Sequence, residues 1–136
     1  MELSEVMPFL EENHLAVVTT IGASGKAQST VVSAAFYDGK MSFVSRARTL
    51  KVKNVRRSGR CGVTLIRPHD TRYVTIEGPA VAHGWDDTPA DELLSLLRGA
   101  YGAAGRETGA DDFESRMREE QRNVVLITPE RVYGSI

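Results

Sequence analysis

The stretch Gln28–Val44, QSTVVSAAFYDGKMSFV, decides the fold. Two runs rich in β-branched and aromatic residues flank Asp38-Gly39. A two-residue Asp-Gly connection is the strongest short hairpin signal, because a type I′ turn needs φ > 0 at both central positions. Gln28–Tyr37 and Met41–Val44 are therefore expected to pair antiparallel. Upstream, Leu15–Ile21 (LAVVTTI) is nearly continuous in apolar and β-branched character, which predicts a strand buried on both faces. Ala23-Ser24-Gly25-Lys26 supplies the intervening turn. Downstream, Cys61–Ile66 and Tyr73–Ala82 read as two more strands joined by Pro68-His69-Asp70-Thr71, the second bent at Gly78-Pro79. Val124–Thr128 and Val132-Tyr133 read as one last strand interrupted by Pro129.

Around these strands the sequence places helices. Ser4 is the expected cap of a short helix to about Asn13, and Thr49 of another to Ser58, ended by Gly59. Thr88-Pro89-Ala90-Asp91 offers a cap, a proline at the first helical position and an acid, followed by an apolar face of Leu93, Leu94, Leu96, Leu97 and Tyr101. After a glycine-rich loop, Gly102–Gly109, Asp111–Arg122 reads as a more polar helix. Hairpin-linked strands, a helical excursion and a closing strand predict an α+β, mainly β, antiparallel barrel rather than alternating βαβ units. With 136 residues, one domain spanning 1–136 is expected. No apolar run approaches the roughly 18 residues of a membrane span, and Met1–Glu12 lacks the basic start of a leader, so the expected location is cytoplasmic. One cysteine, Cys61, and three scattered histidines do not make a zinc site.

Seventeen basic and eighteen acidic residues nearly cancel, but their distribution is uneven. Arg46, Arg48, Lys51, Lys53, Arg56, Arg57 and Arg60 form a run of seven cations with no acid among them, so the rest of the chain is net acidic. That remainder would repel a duplex, so nucleic acid is not the expected partner. Within the run, a strand end, a hydroxyl, two arginines, a threonine cap and a lysine arrive on the first turn of a helix. Free N–H groups and the positive helix end favour an anion there, and Ser45, Thr49 and Lys51 can add hydrogen bonds and charge. A phosphate site and a solvated basic helix face both satisfy these residue types.

The order of features resembles the split β-barrel flavoproteins of the pyridoxamine 5′-phosphate oxidase-like superfamily, over nearly the whole chain. The resemblance is carried by Asn13–Ile21 before a Ser-Gly-Lys turn, the Asp38-Gly39-Lys40 hairpin, Lys51–Arg57 before Cys61-Gly62-Val63, Ile76–Ala80, and the closing Val124–Gly134. Lys51-x-x-Asn54-Val55-Arg56-Arg57 and Val132-Tyr133-Gly134 look most like the branch that uses the deazaflavin coenzyme F420 in place of FMN. The resemblance implies a six-stranded antiparallel split β-barrel that forms a homodimer, with one cofactor in each of two clefts between subunits. By matching positions, Ser45, Arg46, Thr49, Lys51 and Asn54 would take the phosphate and ribityl chain. Gln28, Ser29, Thr30 and Val31 would line the ring, and Tyr73 would reach it from the partner chain. The chain ends Tyr133-Gly134-Ser135-Ile136, without the arginine-and-histidine-rich substrate signature of true pyridoxamine phosphate oxidases, so that activity is not expected. At Thr49 some relatives carry a second basic side chain, which shifts weight to Arg46 and Arg48 here.

The implied activity is hydride transfer from reduced F420 to an electron-poor organic substrate such as an enone, quinone or tetrapyrrole. The alternatives are an FMN oxidoreductase of the same fold and a non-catalytic deazaflavin carrier or sensor. In such chemistry the protein binds, orients and excludes water, so no catalytic side chain and no metal is required. His14, His69 and His83 have no spacing that pairs them with a nucleophile or carboxylate. Cys61 reads as a small core residue and Tyr101 as a core or dimer contact. Trp85 either covers the cleft or packs. The helix after the glycine-rich loop would form a pocket wall, and its acidity would disfavour anionic substrates.

Overall fold

Asp38 and Gly39 take φ of 53° and 79°, the left-handed pair that a type I′ turn requires. Ala34–Tyr37 pair with Lys40–Phe43 around them. The computed structural model describes all 136 residues. In chain order it contains α1 (Leu3–Glu12), β1 (Leu15–Ile21), β2 (Ala27–Tyr37), β3 (Lys40–Arg46), α2 (Leu50–Ser58), β4 (Arg60–Arg67) and β5 (Arg72–His83). Then follow α3 (Ala90–Ala103), α4 (Phe113–Glu119), β6 (Arg122–Ile127) and β7 (Arg131–Ser135). Six strands close antiparallel in the order β1-β2-β3-β6-β5-β4, with β4 returning to β1, and β7 is added on β5. This is the expected six-stranded barrel with one strand more. No helix is long and apolar enough to cross a membrane.

The extra strand comes from the segment read as one interrupted strand. On β5, Tyr73–Glu77 pair with β7 and Ala80–His83 pair with β6. Between them the β6–β7 connection crosses, with Thr128 N donating to Pro79 O (2.8 Å) and Glu130 N to Glu77 O (3.0 Å). Pro79 has no N–H to offer, and it sits where the edge changes partner and no donor is needed. Gly78 lies beneath the crossing, and a Cβ there would run into the Thr128 carbonyl oxygen.

Alternate residues fill the barrel. Ala16, Val18, Met41, Phe43, Val63, Leu65, Val74, Ile76, Val125 and Ile127 are buried together, and α1 and α2 add Val6, Leu10, Val52 and Val55. A second cluster joins Leu93, Leu97 and Ala100 of α3 to Phe113, Met117 and Val124, covering the outer face of β3 and β6. Nothing in the chain covers the outer face of β1 and the first half of β2. There Leu15 is 45% and Val31 69% exposed, so β1 is buried on alternate residues rather than on both faces.

Several helix ends differ from the sequence reading. Glu2, not Ser4, begins α1, exchanging a capping box with Glu5. Pro89 occupies the N-cap position of α3, and the Thr88 hydroxyl donates to Asp87 instead (2.8 Å). The helix α3 continues through Gly102, and α4 is shorter than Asp111–Arg122 because Arg122 is already in β6. Replacing Gly78→Ala should lower stability by about 2–3 kcal/mol or abolish soluble expression, since backbone rather than a flexible side chain must give way; a urea midpoint unchanged from wild type would refute this reading of the crossing.

Candidate functional site

The barrel is open along one seam. Beyond the Ala34–Phe43 pair, β2 keeps only β1 as neighbour and β3 keeps only β6. Hydrogen bonds Ala34 N to His14 O and Gly22 N to Lys26 O, both 2.8 Å, set which β2 residues face β1. By alternation along the ladder, the N–H and C=O groups of Ser29, Val31 and Ser33 point into the seam. A row of backbone donors and acceptors therefore lies open on β2.

Where β3 leaves the seam, the chain turns into α2. Thr49 holds the N-cap position, but its hydroxyl donates to Arg46 O (2.9 Å) and lies 3.1 Å from Ser45 Oγ. The first-turn N–H groups of α2 consequently have no side-chain cap. One turn on, buried Asn54 donates through Nδ2 to Thr20 Oγ1 (3.1 Å), which donates to Gln28 Oε1 (3.4 Å). This chain ties α2 to β1 and β2. Thr30 Oγ1, on the same side of β2 as Gln28, is buried with no hydrogen-bond partner. Of the expected residues, Ser45, Arg46, Thr49 and Lys51 gather at the start of α2, and Asn54 joins Gln28 through Thr20. Ser29 and Val31 present backbone to the seam.

Tyr73 is not brought to this group within one chain. It pairs with Ile66 and Ser135, four residues along β5 from Glu77. At the strand rise that is about 14 Å from the Thr19–Gly62–Glu77 level.

The cationic run is largely committed to the fold. Arg56 binds Asp87 (2.7 Å) and Asn123 Oδ1 (3.1 Å), Arg60 binds Glu130 (2.7 Å), and Arg57 donates to the Ile21 carbonyl. Asp87 is partly desolvated, but the Gly84 N–H, Arg56 and Thr88 outweigh that and hold its carboxyl down at about 2. Arg46 approaches Glu120 at 3.9 Å, while Arg122 holds Glu120 at 2.8 Å. Arg48, Lys51 and Lys53 have no carboxylate within 4.0 Å among the ion pairs of the chain. Lys51 is half-buried, and burial first and the charge of Arg122 second push its pKa below the ordinary lysine value. Burial and a like charge both disfavour a protonated amine, and an incoming anion relieves the second of these.

Arg122 and Glu120 adjoin the candidate site at Arg46 and were not singled out from the sequence. They enter through register, since Arg46 stands opposite Arg122 in the β3–β6 ladder, and no local spacing announces a pairing across so many residues. Other expectations resolve simply. The Trp85 indole packs, donating to Met117 O (3.1 Å) under the Arg118 guanidinium. His14 Nδ1 meets Ala34 O at 3.0 Å. Burial pushes the Cys61 thiol up to about 12. Tyr101 packs edge-on against Phe113. Helix α4 lines cavities on more than one side: Glu114 and Glu119 line an outer groove with Asp111, Glu119 and Glu120 stand with Arg46, Arg48 and Lys53, and Phe113, Arg116, Met117 and Glu120 line an inner cavity.

Residues 3–135 match the family described as pyridoxamine 5′-phosphate oxidase. The chain belongs to that family. Its fold is shared with a conserved hypothetical protein of Mycobacterium tuberculosis, 25% identical over 99% of this chain and 84% of that one, TM-score 0.75. It is shared also with an F420 reductase, 15% identical over 98% of each chain, TM-score 0.67. An FMN-binding, pyridoxamine 5′-phosphate oxidase-related protein of Nostoc punctiforme is 13% identical over 94% of this chain and 76% of that one, TM-score 0.63. No curated protein sequence matches the chain. Thr30→Val should leave the thermal midpoint of the unliganded protein unchanged or raise it by up to about 4 °C, because the hydroxyl it removes is unsatisfied; a clear drop in a thermal melt would show that Thr30 Oγ1 has a partner.

Proposed function

We propose that the chain is an F420-dependent reductase that passes a hydride to an electron-poor organic substrate such as an enone, quinone or tetrapyrrole. The observation that carries the reading is the uncapped start of α2, where the Thr49 hydroxyl meets Arg46 O and Ser45 Oγ and half-buried Lys51 is burdened by burial and by the charge of Arg122. A flavin-type cofactor has the complementary parts, a phosphate and a flat ring edged with donors and acceptors. Lys51, Arg46 and the first turn of α2 would take the phosphate, with Ser45, Thr49 and Asn54 along the ribityl chain. The β2 edge from Gln28 to Val31 would meet the ring, and Thr30 Oγ1 is an unsatisfied group there. When bound, reduced deazaflavin supplies a hydride, so the substrate double bond gains two electrons with it and takes a proton from water. The protein's part is to hold, orient and exclude solvent.

FMN carries the same phosphate and would use the same donors. It is the second reading, supported by the FMN-binding structural neighbour; the deazaflavin reading is supported by the F420 reductase neighbour and the Lys51–Arg57 motif. A non-catalytic deazaflavin carrier would bind identically and reduce nothing. Fluorescence titration with F420, FMN and their phosphate-free ribityl analogues separates these. F420 is expected to bind, and Lys51→Gln should weaken F420 about tenfold or more, near 1.4 kcal/mol, while sparing the phosphate-free analogue. Binding of FMN alone would overturn the deazaflavin reading.

The uncovered sheet face argues for a second copy of the chain. Leu15, Val31 and Tyr133 are exposed on it, and a cavity of about 410 Å³ lies between Thr19, Gly62, Thr64, Thr75, Glu77 and Tyr133. Tyr73 is on the same face, so a homodimer formed there would let it reach the partner's cofactor. Sedimentation equilibrium should give twice the 14.9 kDa chain mass for the wild type and a monomer for Leu15→Lys; a monomeric wild type at micromolar concentration would remove the shared cleft.

A further inference from the structure

Beside the closed end of the seam lies a cleft whose Arg106 and Tyr101 the cofactor reading does not use. Helix α3 ends at Ala103, and Gly105, at φ 78°, turns the chain back so that Arg106 N donates to Tyr101 O (2.9 Å). The reversal lays the Arg106 guanidinium over the Tyr101 ring, 5.7 Å from its centre, and Nη1 donates to Ser33 Oγ at 3.3 Å. Arg106 thus bridges the helical layer to the open edge of β2. Two adjoining cavities of about 140 and 290 Å³ share Tyr101, Arg106 and Arg122. The smaller is floored by Ser33, Phe43 and Val44, where β2 and β3 part.

The charges around these cavities are unequally satisfied. Arg122 is held by Glu120 (2.8 Å), Arg116 approaches Asp112 (3.9 Å), and the Glu107 carboxylate accepts the Gly109 N–H (2.7 Å). Arg106 has no carboxylate partner at all. A guanidinium positioned by an aromatic ring and a hydroxyl, without a counter-ion, is suited to a carboxylate, which it can bind in bidentate fashion.

We propose that this cleft is the substrate site of the reductase and that it selects planar conjugated carboxylates, with the carboxylate on Arg106 and the conjugated body along Tyr101 toward the seam at Ser33 and Val44. The proposal rests on the cofactor reading for its place beside the ring and on Arg106 for its substrate class. It departs from the expectation drawn from the acidity of α4, because that helix lines the cleft with Phe113, Arg116 and Met117, and the two carboxylates there, Glu107 and Glu120, are engaged by the Gly109 N–H and by Arg122.

The test uses protein loaded with whichever of F420 or FMN it binds, titrated calorimetrically with 2-naphthoate and with methyl 2-naphthoate. Wild type should bind the acid at least tenfold tighter than the ester. Arg106→Gln should bring the two within about twofold of each other, leaving the ester and cofactor affinities unchanged, and Arg106→Lys should fall between. Equal affinities in the wild type, absence of acid binding, or a preference that survives in Arg106→Gln would each overturn the pocket and leave the cofactor reading standing. A protein that binds neither cofactor overturns both.

Discussion

A strand inside a closed barrel must satisfy two edges, and β2 is served by two partners in succession rather than by two along its length. β1 pairs with Ala27–Ser33, and β3 meets only Ala34–Tyr37 before following β6. The unpaired half cannot be closed by sliding β3, because a one-residue shift would turn Met41 and Phe43 out of the core. The backbone groups of Ser29, Val31 and Ser33 are left for water or for a ligand. What surrounds the seam follows from this opening: α2 is tied across one end by Asn54, and the turn after α3 lays Arg106 against the other.

The barrel offsets that opening by sharing a strand elsewhere. Along one edge of β5 both β7 and β6 are served, with the exchange at Gly78-Pro79. A residue without a side chain lets the crossing chain lie close, and a residue without an N–H leaves no donor stranded at the gap. The six-stranded ring stays continuous through β4–β5 and β5–β6, so the split on the β2 side does not unravel it. Rigidity on one wall and an unpaired edge on the other suit a scaffold that positions a flat ligand.

Much of this was legible because it is local. Asp38-Gly39 specified its turn and Gly59 its helix end at φ 70° through backbone conformations that few other residues tolerate, and Gly78-Pro79 marked its bend by a missing side chain and a missing N–H. The cluster of Ser45, Arg46, Thr49 and Lys51 was legible for the same reason, lying within seven residues of chain. What escaped is set by long-range register. Pro129 could be read as a flaw in one strand, and only pairing with β5 shows that two strands meet there. The influence of the Arg122 charge on Lys51 and the opposition of Arg46 to Arg122 depend on how β3 and β6 align, to which residue order alone gives no access. Capping failed where competing bonds were stronger locally, with the Thr49 hydroxyl drawn to Arg46 O and the Thr88 hydroxyl to Asp87.

The charge distribution also reads differently once folded. Seven cations in sequence looked like one patch against an acidic body, but the body folds back on the patch. Asp87, Glu120 and Glu130 neutralise the arginines that anchor α2 and the neighbouring strands, where solvent-exposed ion pairs of this kind contribute little stability but fix side-chain position. Arg48, Lys51 and Lys53 are the exceptions, and Lys51 is the informative one. Lys51 is left without an acid, and its lowered pKa has burial and Arg122 as its causes, both of which disfavour the charge it carries. An anion seated at Lys51 would oppose the second cause directly. Ligand binding and folding are then linked in sign: whatever phosphate-bearing molecule occupies the start of α2 should stabilise the native chain, by an amount that grows with its concentration relative to its dissociation constant.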